Sequence, residues 1–206
     1  MRVYKFLSCK YGLRALRERR LKITQVVELN DPYELLPFDL SDPRLRAGLL
    51  KAKEQLGAGK GLVCFSAGWS NPVIWSHYAE CHRGLCLGFD VEDIKAWRVE
   101  YVEDLLSFGA VDGTTARAMI YSKYSHWRYE NEVRMWAYLH EKSGHHYFHT
   151  FGEALQLKEI VVGVNSAVTR RRIVELLGHQ SQGVAIMKAR RAYDEFRMVA
   201  DEAEFL

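Results

Sequence analysis

Runs of alternating and helically spaced apolar residues divide this 206-residue chain into short elements. Arg2 to Leu7, RVYKFL, reads as a strand. Tyr11 to Arg20 places Leu13 and Leu16 at helical spacing and ends in a basic cluster, which predicts a short helix. Leu21 to Val27 returns to strand-type residues. Asn30-Asp31-Pro32-Tyr33-Glu34 predicts a turn, because Asn and Asp bond their own backbone and proline fixes one dihedral. Asp42-Pro43 opens a helix through Gln55, with Leu45, Leu49 and Leu50 as its buried stripe. Gly57 to Gly61 reads as a flexible link, and Leu62 to Ser66, LVCFS, as a continuously apolar central strand.

Gly68 to Asn71 turns the chain, and Asn71-Pro72 starts a helix through His82 that carries Val73, Ile74, Trp75 and Tyr78. Gly84 to Phe89 is a buried strand, Val91 to Trp97 a short helix and Arg98 to Val102 a strand. Leu105 to Ser122 stays open, since Gly109 and Gly113 interrupt any helix. Gly144, His145, His146 and His149 mark a polar turn. Leu157 to Val164 is a strand. Thr169 to Leu177 is a helix, capped by Ser166 or Thr169 and ended by Gly178. Val184 to Ala189 and Arg197 to Ala200 are the last strands. About eight strands with three or four short helices predict an α+β single domain over residues 1–206, a mixed or antiparallel split β-sheet core with short flanking helices.

The charged stretch is Lys123 to Tyr138, KYSHWRYENEVRMWAY. Read as a strand from Tyr129, it puts Glu130, Glu132, Arg134 and Trp136 on one face. Asn131, Val133, Met135 and Ala137 take the other, which is expected to face the core. The charges then face a cleft or water. Two readings stay open: a half-exposed strand with Glu–Arg neighbours, or a Glu-x-Glu catalytic strand.

Composition narrows the classes. A chain of this length is most simply one domain with a sizeable core. A net charge of +3 does not by itself imply a nucleic-acid binder. The arginines are nevertheless clustered, at Arg14, Arg17, Arg19 and Arg20 and again at Arg170 to Arg172 and Arg190 to Arg191; such runs suit solvated helix faces or a phosphate-rich ligand. Cys9, Cys64, Cys81 and Cys86 form no CxxC pair, so a reducing cytoplasm is expected and no disulfide framework. No signal-peptide pattern opens the sequence and no apolar run reaches about 18 residues, so no membrane partner is expected. His140, His145, His146 and His149 have no cysteine or carboxylate at zinc spacing, and no metal site is assigned. P-loop, GxGxxG, GxSxG and HExxH motifs do not occur.

Three strands carry the remaining candidates: Tyr4-Lys5 on the first, Ser66 ending CFS, and Glu130-x-Glu132. NDPYE, CFS, WSHYA with GLCLGF, and K-x-x-x-W-x-Y-E-x-E-x-R together resemble a family of small, mostly bacterial proteins catalogued as a domain of unknown function. The resemblance runs from Tyr4 to about Met198, and its layout is similar to the ADP-ribosyltransferase superfamily. That superfamily places a basic or His residue on a first strand, a hydroxyl residue on a second and a Glu, often within Glu-x-Glu, on a later one.

On this resemblance Lys5 stands where the superfamily has Arg or His, Ser66 matches the hydroxyl and Glu132 the second Glu. Lysine departs from the pattern, and Tyr4 or Arg2 is the alternative. The resemblance implies an NAD-consuming enzyme, an ADP-ribosyltransferase or NAD glycohydrolase, of the kind found among toxins and phage-defence effectors. NAD is then the substrate, the acceptor an unknown protein, a nucleic acid or water, and a neutralising partner is expected. Glu132 stabilises the sugar cation formed as the nicotinamide–ribose bond breaks. Ser66 fixes its rotamer, Glu130 serves the acceptor, and Arg134 keeps a carboxylate ionised. Trp75, His77, Tyr78 and Trp127 complete the NAD-holding set by stacking and contact. Lys5, Ser66 and Glu132 are thus expected to converge. Two other classes remain: a non-catalytic nucleic-acid-binding protein using the arginine clusters, and a metal-dependent nuclease using Asp31, Glu34, Glu130 and Glu132.

Overall fold

The computed structural model describes residues 1–140 and 142–201. In chain order the elements are β1 (Arg2–Leu7), α1 (Cys9–Glu18), β2 (Arg20–Gln25), α2 (Pro43–Gly59), β3 (Lys60–Ser66), α3 (Pro72–Tyr78), β4 (Leu85–Asp90), β5 (Ala96–Arg98), β6 (Glu100–Val102), α4 (Gly113–Tyr121), β7 (Ser122–Tyr124), β8 (Glu132–Tyr138), β9 (Lys142–Ser143), β10 (His146–Thr150), β11 (Gln156–Val162), α5 (Arg170–Leu177), β12 (Ala185–Arg191) and β13 (Met198–Asp201). The chain forms two compact units. The first takes residues 1–21, 65–93 and 150 onward; the second takes 22–64 and 94–149.

In the first unit the strands run β13-β12-β11-β4-β1. β1 is antiparallel to β4 from Arg2↔Asp90 to Leu7↔Leu85, and meets the end of β3 at Tyr4↔Ser66. β11 is antiparallel to β4, with a shift of register between Leu157 and Glu159. β12 lies parallel to β11, which requires a crossover, and α5 supplies it. The core joins Phe6, Ile74, Trp75, Ala79, Cys86, Val161, Ala189 and Met198. Gly84 is demanded here by close approach: a Cβ would sit 2.0 Å from the Leu7 carbonyl oxygen.

In the second unit β8 lies between β3 and β5, β2 pairs with the start of β3, and β6 and β7 form a parallel pair. Its core holds Val26, Leu35, Leu36, Phe38, Leu49 and Met119. Both units combine helices with mostly antiparallel strands, so the protein is α+β.

The structure revises several expected elements. The helix α2 continues through Gly57 and Gly59, where a flexible link was expected; the lack of a side chain at Gly57 lets Val26 pack close, since a Cβ there would stand 3.0 Å from it. Of its expected stripe only Leu49 is buried, while Leu50 is 48% exposed. The helix α3 stops at Tyr78 rather than His82, because Glu80, Cys81 and His82 all adopt positive φ. The expected helix Val91 to Trp97 is a 3-10 turn, Asp93–Lys95, followed by β5. Gly113 opens α4 instead of interrupting one, and Asp112 caps it by accepting from the Thr115 N–H. The histidine turn is the β9–β10 hairpin, with His146 and His149 on a strand.

Candidate active site

The charged stretch does not run as one strand. Ser125–Glu130 is a 3-10 helix, and Asn131 closes it with φ 45° and ψ 51°. A short amide side chain tolerates that left-handed backbone better than a bulky one does. Only then does β8 begin, so Glu130 and Glu132 belong to different elements and do not share a strand face. β8 is also buried on both sides at its start: Glu132, Val133, Arg134 and Met135 are all buried. The expected exposed charged face is therefore interior, and the reason is a set of partners inside the second unit.

Lys123 is the hub. Its strand β7 pairs in parallel with β6, Tyr101 opposite Lys123, and alternation turns Tyr124 outward and Lys123 inward. The Lys123 ammonium donates to Glu130 Oε2 at 2.6 Å and to Glu132 Oε2 at 3.0 Å, and lies 3.8 Å from Glu34 Oε2. The Trp127 ring sits over the same ammonium at 4.9 Å, a cation–π contact. Arg134, with no exposed surface, forks onto Glu132: Nε donates to Oε1 at 3.0 Å and Nη2 to Oε2 at 3.2 Å. Its Nη2 also donates to Glu34 Oε1 at 2.5 Å, and Nη1 to the Ile120 carbonyl at 2.6 Å.

Glu34 comes from the NDPYE turn. Asp31 Oδ1 accepts from the Tyr33 N–H and the Asp31 carbonyl from the Glu34 N–H, while Leu35 takes φ 61°. A buried leucine at positive φ is backbone strain held in place by its surroundings. The Lys53 ammonium bonds the Glu34 carbonyl.

Burial and the neighbouring charges shift Glu132, Lys123 and Glu34 in different ways. Burial pushes the Glu132 carboxyl up, but the Arg134 and Lys123 charges reverse this and hold it down at about 2. Burial would strip the Lys123 proton, yet Glu132, Glu130 and Glu34 hold it well above the ordinary lysine value. Glu34 goes the other way: burial raises it, Glu132 adds to that, and Arg134 and Lys123 only partly offset the rise. The Tyr101 hydroxyl accepts from the Glu132 N–H and is pushed up to about 12, chiefly by burial. The result is a carboxylate held ionised near neutral pH beside a second carboxylate on the same ammonium. Such an arrangement can stabilise a developing cation and receive a proton.

The sequence assigns no site role to Lys123 or Tyr101, and gives Glu34 a place only in the nuclease alternative. Lys123 and Glu34 fall inside the K-x-x-x-W and NDPYE motifs, but the motifs give them no role, because a parallel strand pair and a strained turn bring them to the carboxylates. Among the described residues no group of three or more His, Cys, Asp or Glu stands where it could hold a metal. The Lys123 ammonium itself lies among the three glutamates offered for the nuclease reading.

The other expected site residues lie in the first unit. Tyr4 is half-buried, and its hydroxyl donates to Glu159 Oε2 at 3.0 Å; burial and that carboxylate push it up to about 12. Lys5 is half-buried opposite Leu87. Arg2 is committed to Asp90 and Glu159. Ser66 is buried, and its hydroxyl accepts from the Gly68 N–H at 3.3 Å, a turn-forming contact. Trp75 corrects an expectation: it has no exposed surface, its indole N–H donates to the Trp69 carbonyl at 2.5 Å and its ring packs edge-on against Phe6, so no ring face is left for a ligand. His77 is exposed beside the half-buried Tyr78, their rings 6.3 Å apart. Within this unit Tyr4 and Ser66 are strand partners; Trp127, Glu130, Glu132 and Arg134 gather around Lys123 in the other.

Comparison with family models, with curated proteins and with solved structures found no match.

Proposed function

We propose that this chain is an NAD-consuming enzyme of ADP-ribosyltransferase-like fold, an ADP-ribosyltransferase or an NAD glycohydrolase. The observation that supports it is Glu132, a buried carboxylate held ionised by Arg134 and Lys123. Replacing a buried ion network by apolar side chains is often neutral or stabilising, so stability alone is a weak reason to keep one. Groups shifted by burial together with specific charged partners concentrate at functional sites.

In this reading the nicotinamide C–N bond breaks, and its electron pair leaves with neutral nicotinamide. Glu132 faces the positive charge that develops at C1′ of the ribose. The acceptor hydroxyl, or water, forms the new bond at C1′ and passes its proton to Glu130. Arg134 has no exposed surface and touches no phosphate; it positions Glu132 by its two-point contact. Trp127, half-buried over Lys123, links the buried charges to the surface and offers a ring for stacking.

The test is nicotinamide released from NAD, followed chromatographically. Wild-type protein is expected to release it, and Glu132→Gln to lose about 100-fold or more, roughly 3 kcal/mol of transition-state stabilisation. Circular dichroism checks that the variant folds, and Glu132→Asp, which keeps the charge, should retain part of the activity. Folded wild type that releases no nicotinamide, or equal release from wild type and Glu132→Gln, sinks the proposal.

A further inference from the structure

Two helix-bearing stretches of the first unit are rich in positive charge. Residues 9–20 hold five Lys or Arg against one Glu, and residues 165–180 hold three Arg against one Glu. The first surplus alone exceeds the +3 of the whole chain. These stretches contain α1 and α5, which pack against each other. Arg19 at the end of α1 donates to Gln180 just beyond α5, so the two C-terminal ends are tied.

The helix α1 buries Gly12, Ala15 and Leu16, and exposes Lys10, Arg14 and Arg17 on the opposite side at i, i+4 and i+7. The helix α5 buries Ile173 and Leu177 and exposes Arg170, Arg171 and Arg172. Each helix offers one carboxylate to two guanidinium groups: Glu18 to Arg14 and Arg20, Glu175 to Arg171 and Arg172.

Helix stability accounts for Arg17 in the last turn of α1 and for the Arg14–Glu18 and Arg171–Glu175 pairs, but not for the cations of the first turns. Neither helix has an acidic residue in its first turn. Lys10 and Arg170 to Arg172 stand there instead, at the positive end of the helix dipole, where a cation is disfavoured. Like charges one turn apart also destabilise a helix. Seven of the eight cations in the two stretches are arginine, whose planar fork matches a phosphate in two-point contacts. The large apolar side chains exposed on these helices are Tyr11 and Val174, which is little to insert into a bilayer.

We propose that the outer faces of α1 and α5 form a docking surface for nucleic acid, gripped through its backbone phosphates. This holds whether or not the second unit turns over NAD. The probe is a fluorescent DNA duplex of about 20 base pairs, titrated by anisotropy between about 50 and about 200 mM salt. Wild-type binding is expected to weaken steeply with salt. K10A/R14A/R17A should lower the log–log slope by about three and the affinity at least about tenfold, and R171A/R172A should lower the slope by about two. R44A/R46A, exposed on α2, should leave both unchanged. Failure to bind at the lowest salt, equal losses in the α2 control, or binding to phosphatidylserine vesicles but not to the duplex overturns the proposal.

Discussion

Glu34 and Glu132 share one guanidinium, yet burial and neighbours drive them apart. Glu132 is held at about 2, below the ordinary glutamate value of about 4.3. It contributes stability above that ordinary value, and the contribution is lost as pH falls from about 4.3 toward 2. Glu34 is raised, so its ionised form costs stability at high pH, and the cost disappears as pH falls through its folded value. Glutamine mimics the neutral acid at each site. In melts across pH, wild type should therefore gain on Glu34→Gln as pH falls toward the ordinary glutamate value of about 4.3, and lose its advantage over Glu132→Gln only below it. Trends of the same sign for both variants would contradict the opposite shifts. Arg134→Met removes the guanidinium that Glu132 and Glu34 share, leaves both to Lys123 alone, and should cost about 3–5 kcal/mol in urea unfolding. None of this was readable from Glu-x-Glu spacing, since the same two letters fit an exposed strand equally well.

The element that sets the site is the join between the 3-10 helix and β8. Asn131 makes it with a left-handed backbone, and this lets Glu130 and Glu132 reach one ammonium from two elements. Asn131→Gly should be close to neutral, whereas Asn131→Val should cost about 1–3 kcal/mol, measured by denaturant unfolding. Strands such as β1 and β4 were legible because apolar and aromatic residues make up most of each short segment. The expected strand through Glu130 was not, because a single residue of positive φ breaks an alternation that the letters continue. α5 was read nearly to the residue, since Thr169 caps it through its hydroxyl and Gly178 ends it at φ 56°. α2 ran past its expected end because a helix tolerates glycine at a cost of about 1 kcal/mol, and the missing side chain of Gly57 lets Val26 pack close.

For the molecule as a whole, Cys9, Cys64, Cys81 and Cys86 are all free thiols. Reductant should leave the melting temperature unchanged. In thiol titration the exposed Cys81 should react first, and Cys86, fully buried and raised by burial, only after denaturation. Among the described residues no helix is long and apolar enough to cross a membrane. The amino-acid sequence by itself determined the α+β class, most strand and helix positions, the helix caps and the candidate carboxylates, because these follow from local periodicity and from side chains bonding their own backbone. Only the tertiary structure decided that Lys123, Glu34 and Arg134 enclose those carboxylates, that Trp75 is core, and that α1 and α5 stand side by side. Each depends on residues far apart in the chain, where distance in space, burial and charge are set by packing.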